Sequence, residues 1–159
     1  MRALVQRVSE ASVVSRPAEG GVVESSIGAG LMILLGVKVG DSAADAAWLA
    51  HKCAALRIFE DDAGRMNRSL LELDGEALVV SQFTLYGDTD RGRRPSFVAA
   101  APPAVAVVLY EAFVAALRAA GVRRGETGVF QAMMQLRIVN EGPVTLLVES
   151  RAGAAGGDA

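Results

Sequence analysis

The chain has 159 residues, of which 52% are hydrophobic and 5% aromatic, and 16 Lys and Arg against 18 Asp and Glu leave a net charge of −2. That length suits one domain with a substantial core, and a single cysteine, Cys53, excludes an internal disulfide framework and fits a reducing compartment. The charge does not describe a sequence-reading DNA binder, no apolar run approaches the ~20 residues of a membrane span, and the N-terminus reads straight into a strand without room for a signal peptide. The expectation is a cytoplasmic chain with no membrane contact.

Leu4 to Val8 and Ala11 to Ser15 read as two short strands separated by Ser9-Glu10, and Val22 to Ile27 resumes an extended pattern after the turn material Arg16 to Gly21. Gly28-Ala29-Gly30 precedes the apolar run Leu31 to Val37, which reads as a strand buried on both faces. Those glycines are not a phosphate loop, because they come before the strand and no Lys-Ser/Thr follows. Asp41 or Ser42 caps a helix to about Leu56 with Leu49, Cys53 and Leu56 on its apolar face. His51 and Cys53 lie two residues apart on that helix and point to different sides, so they form neither a catalytic pair nor a metal site.

Ile58-Phe59 reads as a short strand closed by Asp61-Asp62-Ala63-Gly64, and Asp74-Gly75 as a hairpin-type turn before the buried run Ala77 to Val80. Ser81-Gln82-Phe83-Thr84 sits where that strand ends. Arg91-Gly92-Arg93-Arg94-Pro95 is a compact basic loop, and Pro102-Pro103 opens a second helix with the stripe Val105, Val108, Leu109, Ala112, Phe113, Ala116, Leu117. Glu126-Thr127-Gly128 reads as a loop. Met134, Leu136 and Ile138 then alternate with polar residues as a half-buried strand.

That strand runs toward Glu149 but is interrupted at Asn140-Glu141-Gly142-Pro143-Val144-Thr145, where proline removes a ladder donor and glycine permits unusual backbone angles. On spacing alone this is a hairpin turn. Residues 1–150 are expected to form the domain, with a disordered Gly/Ala tail over 151–159. With about seven or eight strands and two long helices, the fold expected is α/β: mixed sheets in a layered β-β-α sandwich, as two sheets or one strongly curled sheet with helices on one side.

The inventory lacks HExxH, GxSxG, Walker A and paired-cysteine spacings, so no metal or cofactor is expected. An enzyme built from these residues must rely on positioned backbone donors and on its substrate's own groups.

Ser81-Gln82-Phe83-Thr84-Leu85, then Arg91-Gly92-Arg93-Arg94-Pro95-Ser96-Phe97, then Asn140-Glu141-Gly142-Pro143-Val144-Thr145, in that order, resemble the D-aminoacyl-tRNA deacylase family. The likeness runs from Met1 to about Ser150 and includes Gln6-Arg7-Val8, Arg57-Ile58-Phe59 and Met66-Asn67. It implies a homodimer that hydrolyses the ester between a D-amino acid and the 3′-terminal adenosine of tRNA, also removes mischarged glycine, and spares L-aminoacyl-tRNA. It further implies that Gly142 and Pro143, joined by a cis peptide, insert into the partner subunit's active site as a chiral gate, with Arg7 helping to hold them. Asn140, Val144 and Thr145 belong to the same motif.

By the same resemblance Ser81, Gln82, Phe83 and Thr84 line the reaction centre, with the Phe83 N–H polarising the carbonyl. A threonine hydroxyl without a neighbouring base is a poor nucleophile, so attack by water assisted by the adenosine 2′-OH is preferred, with Thr84 shaping the pocket. Phe130 and Met134 match positions near the terminal adenosine, where a ring and a thioether suit stacking, although either also suits a core. Met133 departs from the family pattern, in which an acidic residue is common. Arg91, Arg93, Arg94, Arg123 and Arg124 are candidate contacts for the acceptor-end phosphates. Two other readings stay open: a non-catalytic nucleic-acid-binding module on the same fold, and a general esterase.

Overall fold

The computed structural model describes residues 1–150; the tail expected to be disordered lies outside the described residues. In chain order the elements are β1 (Arg2–Arg16), β2 (Val23–Ile27), β3 (Gly30–Gly36), α1 (Ala43–Ala55), β4 (Phe59–Glu60), β5 (Met66–Arg68), β6 (Glu76–Ser81), a short 3₁₀ turn (Phe83–Tyr86), α2 (Pro103–Ala119), β7 (Gly125–Thr127) and β8 (Met133–Glu149). The fold is α/β: a six-stranded mixed sheet that curls strongly with both helices on one face, and a separate two-stranded antiparallel sheet of β4 and β5.

β1 organises the sheet. One edge of it pairs antiparallel with β8 along nearly its whole length, while the other edge takes β3 beside residues 2–8 and β2 beside residues 11–15. β6 then lies parallel to β3, and β7 parallel to β6. The two short strands expected around Ser9-Glu10 are therefore one strand with an irregularity, since pairing with β8 shifts between Val8 and Glu10. The Asp74-Gly75 hairpin is also corrected. β6 has only parallel neighbours, and Asp74 with φ 50° instead ends a turn in which the Gly75 N–H donates to Leu70 O. Of the expected loop Glu126-Thr127-Gly128, Glu126 and Thr127 belong instead to the strand Gly125–Thr127, which pairs with Ala77–Val79 and is too short for the pattern to register.

Alternation along the strands sorts the core into two layers. Ala3, Val5, Ile33, Leu35, Ala77 and Val79 face α1 and α2, packing on Leu49, Cys53, Phe113 and Leu117. Val8, Val13, Met32, Leu78 and Val80 face the opposite way and are covered by Met134, Leu136 and Ile138 of the curled β8. Ser42 caps α1 through a capping box with Asp45 and thereby satisfies orphan amide groups at the helix start. The expected stripe of α2 is rotated: Leu109, Phe113 and Leu117 are buried as read, with Tyr110 and Val114 beside them, whereas Val105 and Val108 are exposed. Gly30 is required by close approach, because a Cβ there would lie 1.9 Å from the Glu76 carbonyl oxygen on β6. No helix among the described residues is long and apolar enough to cross a membrane.

Candidate active site

β6 ends at Ser81, and the Gln82 N–H still donates to Leu35 O at 2.8 Å, so the chain leaves the sheet just beyond a rigid anchor. It turns at once into the 3₁₀ segment Phe83–Tyr86, whose leading residue Gln82 makes no side-chain cap. The first N–H groups of a helical turn have no partner inside it, so the backbone donors of Phe83 and Thr84 are left without an intrahelical acceptor. The Gln82 side-chain amide donates to the Thr84 hydroxyl, which fixes both side chains relative to those donors.

Beside this corner lies a cavity of about 730 Å³, walled by Ser81, Gln82 and Phe83, by Phe97 and Val98, and by Phe130 and Met134 among others. Phe83 and Phe97 meet edge to face at 5.1 Å, and Phe130 tilts against Tyr110 at 5.9 Å. The Tyr110 hydroxyl donates to Val79 O at 2.8 Å, and burial pushes its phenol up to about 12, so it stays protonated as a structural donor. Of the expected catalytic residues, Ser81, Gln82 and Phe83 line the cavity; Thr84 is exposed at its edge. Phe130, from the segment before β8, and Met134, at the start of β8, join them. Tyr110 and Gln131 also line it and were not singled out in sequence; Gln131 lies between the matched positions Phe130 and Met134, and Tyr110 lies one residue off the expected helical stripe.

The Asn140-to-Thr145 motif stands elsewhere, and it is not a hairpin. β8 continues through it still paired to β1, with Gln6 opposite Thr145 and Val8 opposite Asn140. Arg7 alone therefore faces residues 141–144, a wide bulge rather than a reversal. Asn140 closes it: its side-chain amide donates to Val144 O at 3.0 Å and to Arg7 O at 2.9 Å, and its own amide oxygen accepts from the Thr145 hydroxyl at 3.2 Å. Val144 tucks against the helix-side core, while Gly142 and the cis-linked Pro143 project outward and are exposed.

Arg7 is buried beneath the bulge. Its Nη1 donates to Ile58 O at 2.8 Å, and Glu60 and Glu141 stand 3.8 and 3.5 Å from the guanidinium. Its Nε is buried without a hydrogen-bond partner. A second cavity of about 450 Å³ lies here, lined by Arg7, Phe59, Glu60, Leu73, Glu141 and Gly142.

The strand register measures the separation of the two groups. Arg7 pairs with Leu31 and Leu31 with Ala77, whereas Ser81 pairs with Leu35 and Leu35 with Ala3. The bulge is thus level with the start of β6 and the cavity with its end, about 13 Å apart along the strand and three strand spacings, about 14 Å, across the sheet. Within one chain, Gly142-Pro143 and Ser81-Gln82 do not meet.

The arginines divide in the same way. Arg91, Arg93 and Arg94 are exposed at the tip of the loop that carries Phe97 and Val98 to the cavity. Arg124 is committed to Glu76, to Glu126 and to Ser26 O, and Arg123 pairs with Asp74, both at the level of Ala77 rather than Ser81. Those two are accordingly not contacts of the 730 Å³ cavity. His51 is exposed on α1, and Cys53 is fully buried with burial pushing its thiol up to about 12. Among the described residues no group of three His, Cys, Asp or Glu is arranged to hold a metal ion.

Comparison with known proteins agrees over nearly the whole chain. Residues 4–149 match the model of the family described as D-Tyr-tRNA(Tyr) deacylase. The chain is 61% identical over 150 residues to a D-aminoacyl-tRNA deacylase of Roseiflexus castenholzii, covering 94% of this chain and 92% of that one. It is 56% identical to the protein of the same name from Thermus aquaticus, covering 94% and 97%. Among solved structures, one titled c-Myc DNA Unwinding Element Binding Protein superposes with TM-score 0.85 at 37% identity, over 95% of this chain and 99% of that one. A probable eukaryotic D-amino acid tRNA deacylase shares the fold, with TM-score 0.76 at 20% identity over 93% and 98% of the two chains.

Proposed function

The chain belongs to the D-Tyr-tRNA(Tyr) deacylase family, and we propose that it is a cytoplasmic hydrolase of D-aminoacyl-tRNA, cleaving the ester between the D-amino acid and the 3′-terminal adenosine. The observation that carries this reading is the corner after β6, where Ser81, Gln82 and Phe83 wall a large cavity at the start of the 3₁₀ turn.

In this reading the Phe83 N–H, one of the donors with no partner inside the 3₁₀ turn, donates to the ester carbonyl oxygen as negative charge develops there, the kind of preorganised donor that contributes most to acyl transfer. Water adds to the carbonyl carbon, the bond to the ribose 3′-oxygen breaks, and the proton passes by way of the neighbouring 2′-OH to the leaving oxygen. Thr84 shapes the pocket: its hydroxyl accepts from Gln82 and is hydrogen-bonded to no histidine or carboxylate among the described residues. Phe130 and Met134 pack on the terminal base, and Arg91, Arg93 and Arg94 meet the acceptor-end phosphates.

The gate is Gly142-Pro143 of a second copy. The separation of bulge and cavity within one chain supports a homodimer in which each protomer's bulge enters the other's cavity. There a backbone wall meets the α-carbon and collides with an L side chain, which discriminates more strongly than the ~1–3 kcal/mol of an apolar contact. Glycine has no side chain to reject, so glycyl-tRNA is a substrate as well. Hydrolysis of matched D-tyrosyl-, L-tyrosyl- and glycyl-tRNA tests this directly. Release from the D and glycyl forms only is expected; equal release from the L form would make the protein a general esterase without a gate.

The neighbour named for binding a DNA unwinding element favours one second reading, a nucleic-acid-binding module on this fold. Binding of tRNA with no release of D-tyrosine would support it.

A further inference from the structure

Val129 to Ala132 form a turn closed by the Ala132 N–H donating to Val129 O at 3.2 Å. Its third residue, Gln131, has φ 61°, and the one other non-glycine with positive φ among the described residues is Asp74. A positive φ at the third position of a turn belongs to glycine or asparagine, because a Cβ crowds the backbone there. Asp74 is a short polar residue at a turn remote from the cavity. Glutamine has no such local reason, as its amide is too far from its own backbone to close a turn. An unfavourable backbone kept at a cavity wall points to use of the side chain.

The lining of that cavity narrows the use. None of its residues carries a formal charge. Its polar side chains are Ser81, Gln82, Tyr110 and Gln131. Tyr110 is committed to Val79 O and Gln82 to Thr84. Ser81 sits at the reaction corner. Gln131 follows Phe130 directly and is exposed at the cavity mouth, where its amide makes no hydrogen bond to another described residue and is open to a ligand. An uncharged wall with an aromatic ring and a free primary amide suits a neutral heteroaromatic base held on its face and read on its edge. A glutamine amide pairs with adenine in two bonds, its oxygen accepting from N6–H and its N–H donating to N7.

We infer that Gln131 is a specificity-determining residue that reads the terminal base of the substrate as adenine. The inference rests on the reading of this cavity as the site of the 3′-terminal adenosine. The turn presents the amide edge-on to the base that Phe130 supports, and the backbone cost is offset by that pair of bonds when substrate is bound.

The test compares wild type, Gln131→Gly and Gln131→Glu on D-tyrosyl-tRNA ending in adenosine or in inosine, which replaces the N6 amino group by a carbonyl oxygen. Wild type is expected to prefer adenosine by about tenfold in kcat/KM, through KM. Gln131→Gly should lose most of that preference by a rise in KM for the adenosine substrate, with kcat changed less than about twofold, while its Tm rises by about 2 °C because glycine accepts the positive φ. Gln131→Glu keeps the backbone cost and the acceptor but loses the N7 donor, so KM rises without the gain in Tm. A purely structural role would move Tm without the base preference. Unchanged preference in both variants, or no preference in wild type that turns over D-tyrosyl-tRNA, would overturn the inference while leaving the deacylase reading intact. No turnover of either substrate by wild type would overturn both.

Discussion

Asn140 donates its side-chain amide to the backbone carbonyl of Arg7 at 2.9 Å, across the wider of the two places where the β1–β8 ladder loses its regular register. The same amide reaches Val144 O, so one side chain spans the bulge from which Gly142 and Pro143 project, and Arg7 forms its floor. The position of the projecting residues thus depends on bonds made by their neighbours.

Replacing Asn140 by Ala removes both donations and leaves two partly buried carbonyls without them. Stability should fall by about 1–3 kcal/mol in urea unfolding. D-tyrosyl-tRNA should still be hydrolysed, but rejection of the L form should weaken by about tenfold. A variant that is destabilised yet fully selective would separate Asn140 from the gate.

Gly142 has φ 113°, and a Cβ there would lie 2.9 Å from Val144 Cγ2, 3.0 Å from Val144 N and 3.1 Å from Arg7 Nη2. Val144 belongs to the bulge itself, so its backbone N and its β-branched side chain yield only if the bulge moves. Gly142→Ala should therefore cost about 1–3 kcal/mol and raise the ratio of L to D turnover. Retention of the wild-type ratio would mean that the L side chain is stopped elsewhere.

Because the bulge and the Ser81 corner do not meet within one chain, selectivity should be shared between protomers. Sedimentation should report a mass twice the 16.5 kDa of the chain. Mixed dimers of Gln82→Ala with Gly142→Ala should contain one site that combines an intact cavity with an intact gate. Co-expression should therefore restore selective hydrolysis that neither variant shows alone. A fully active and selective monomer would sink the shared-site arrangement.

Cys53 is 0% exposed, with burial pushing its thiol from 9.0 to about 12. Thiol reagents at pH 8 should leave native activity intact and label Cys53 only after unfolding. The folded pKa lies above the unfolded one, so the contribution to stability is whole below pH 9 and declines as pH rises toward 12, by about 1.4 kcal/mol per pH unit. Cys53→Ala should abolish that part of the alkaline decline, measured by urea midpoints at pH 8 and pH 10.

Much of the fold was legible because its signals are local. Ser42 with Asp45 is a capping box within four residues, and the apolar run Leu31 to Val37 reads as a buried strand in isolation. Where the signal was short or the partner distant, the reading failed. Gly125–Thr127 becomes a strand only because β6 offers it an edge, and Asp74-Gly75 looked like a hairpin because direction of pairing is not written in a turn. The α2 stripe shifted toward Tyr110 and Val114 because burial of a helix face is set by what packs on it.

The interruption at Gly142-Pro143 divides along the same line. Sequence alone determined that the strand must depart from regular pairing there, since proline lacks the N–H and the glycine precedes it, and the three motifs sufficed to suggest the family. Tertiary structure decided that the chain bulges rather than reverses, that Asn140 clasps the bulge to Arg7, and that the bulge stands a sheet's breadth from the corner at Ser81. Those facts depend on which residue of β1 faces which residue of β8 and β3, a register fixed by the simultaneous burial of both sheet faces. No local stretch of the chain carries that information.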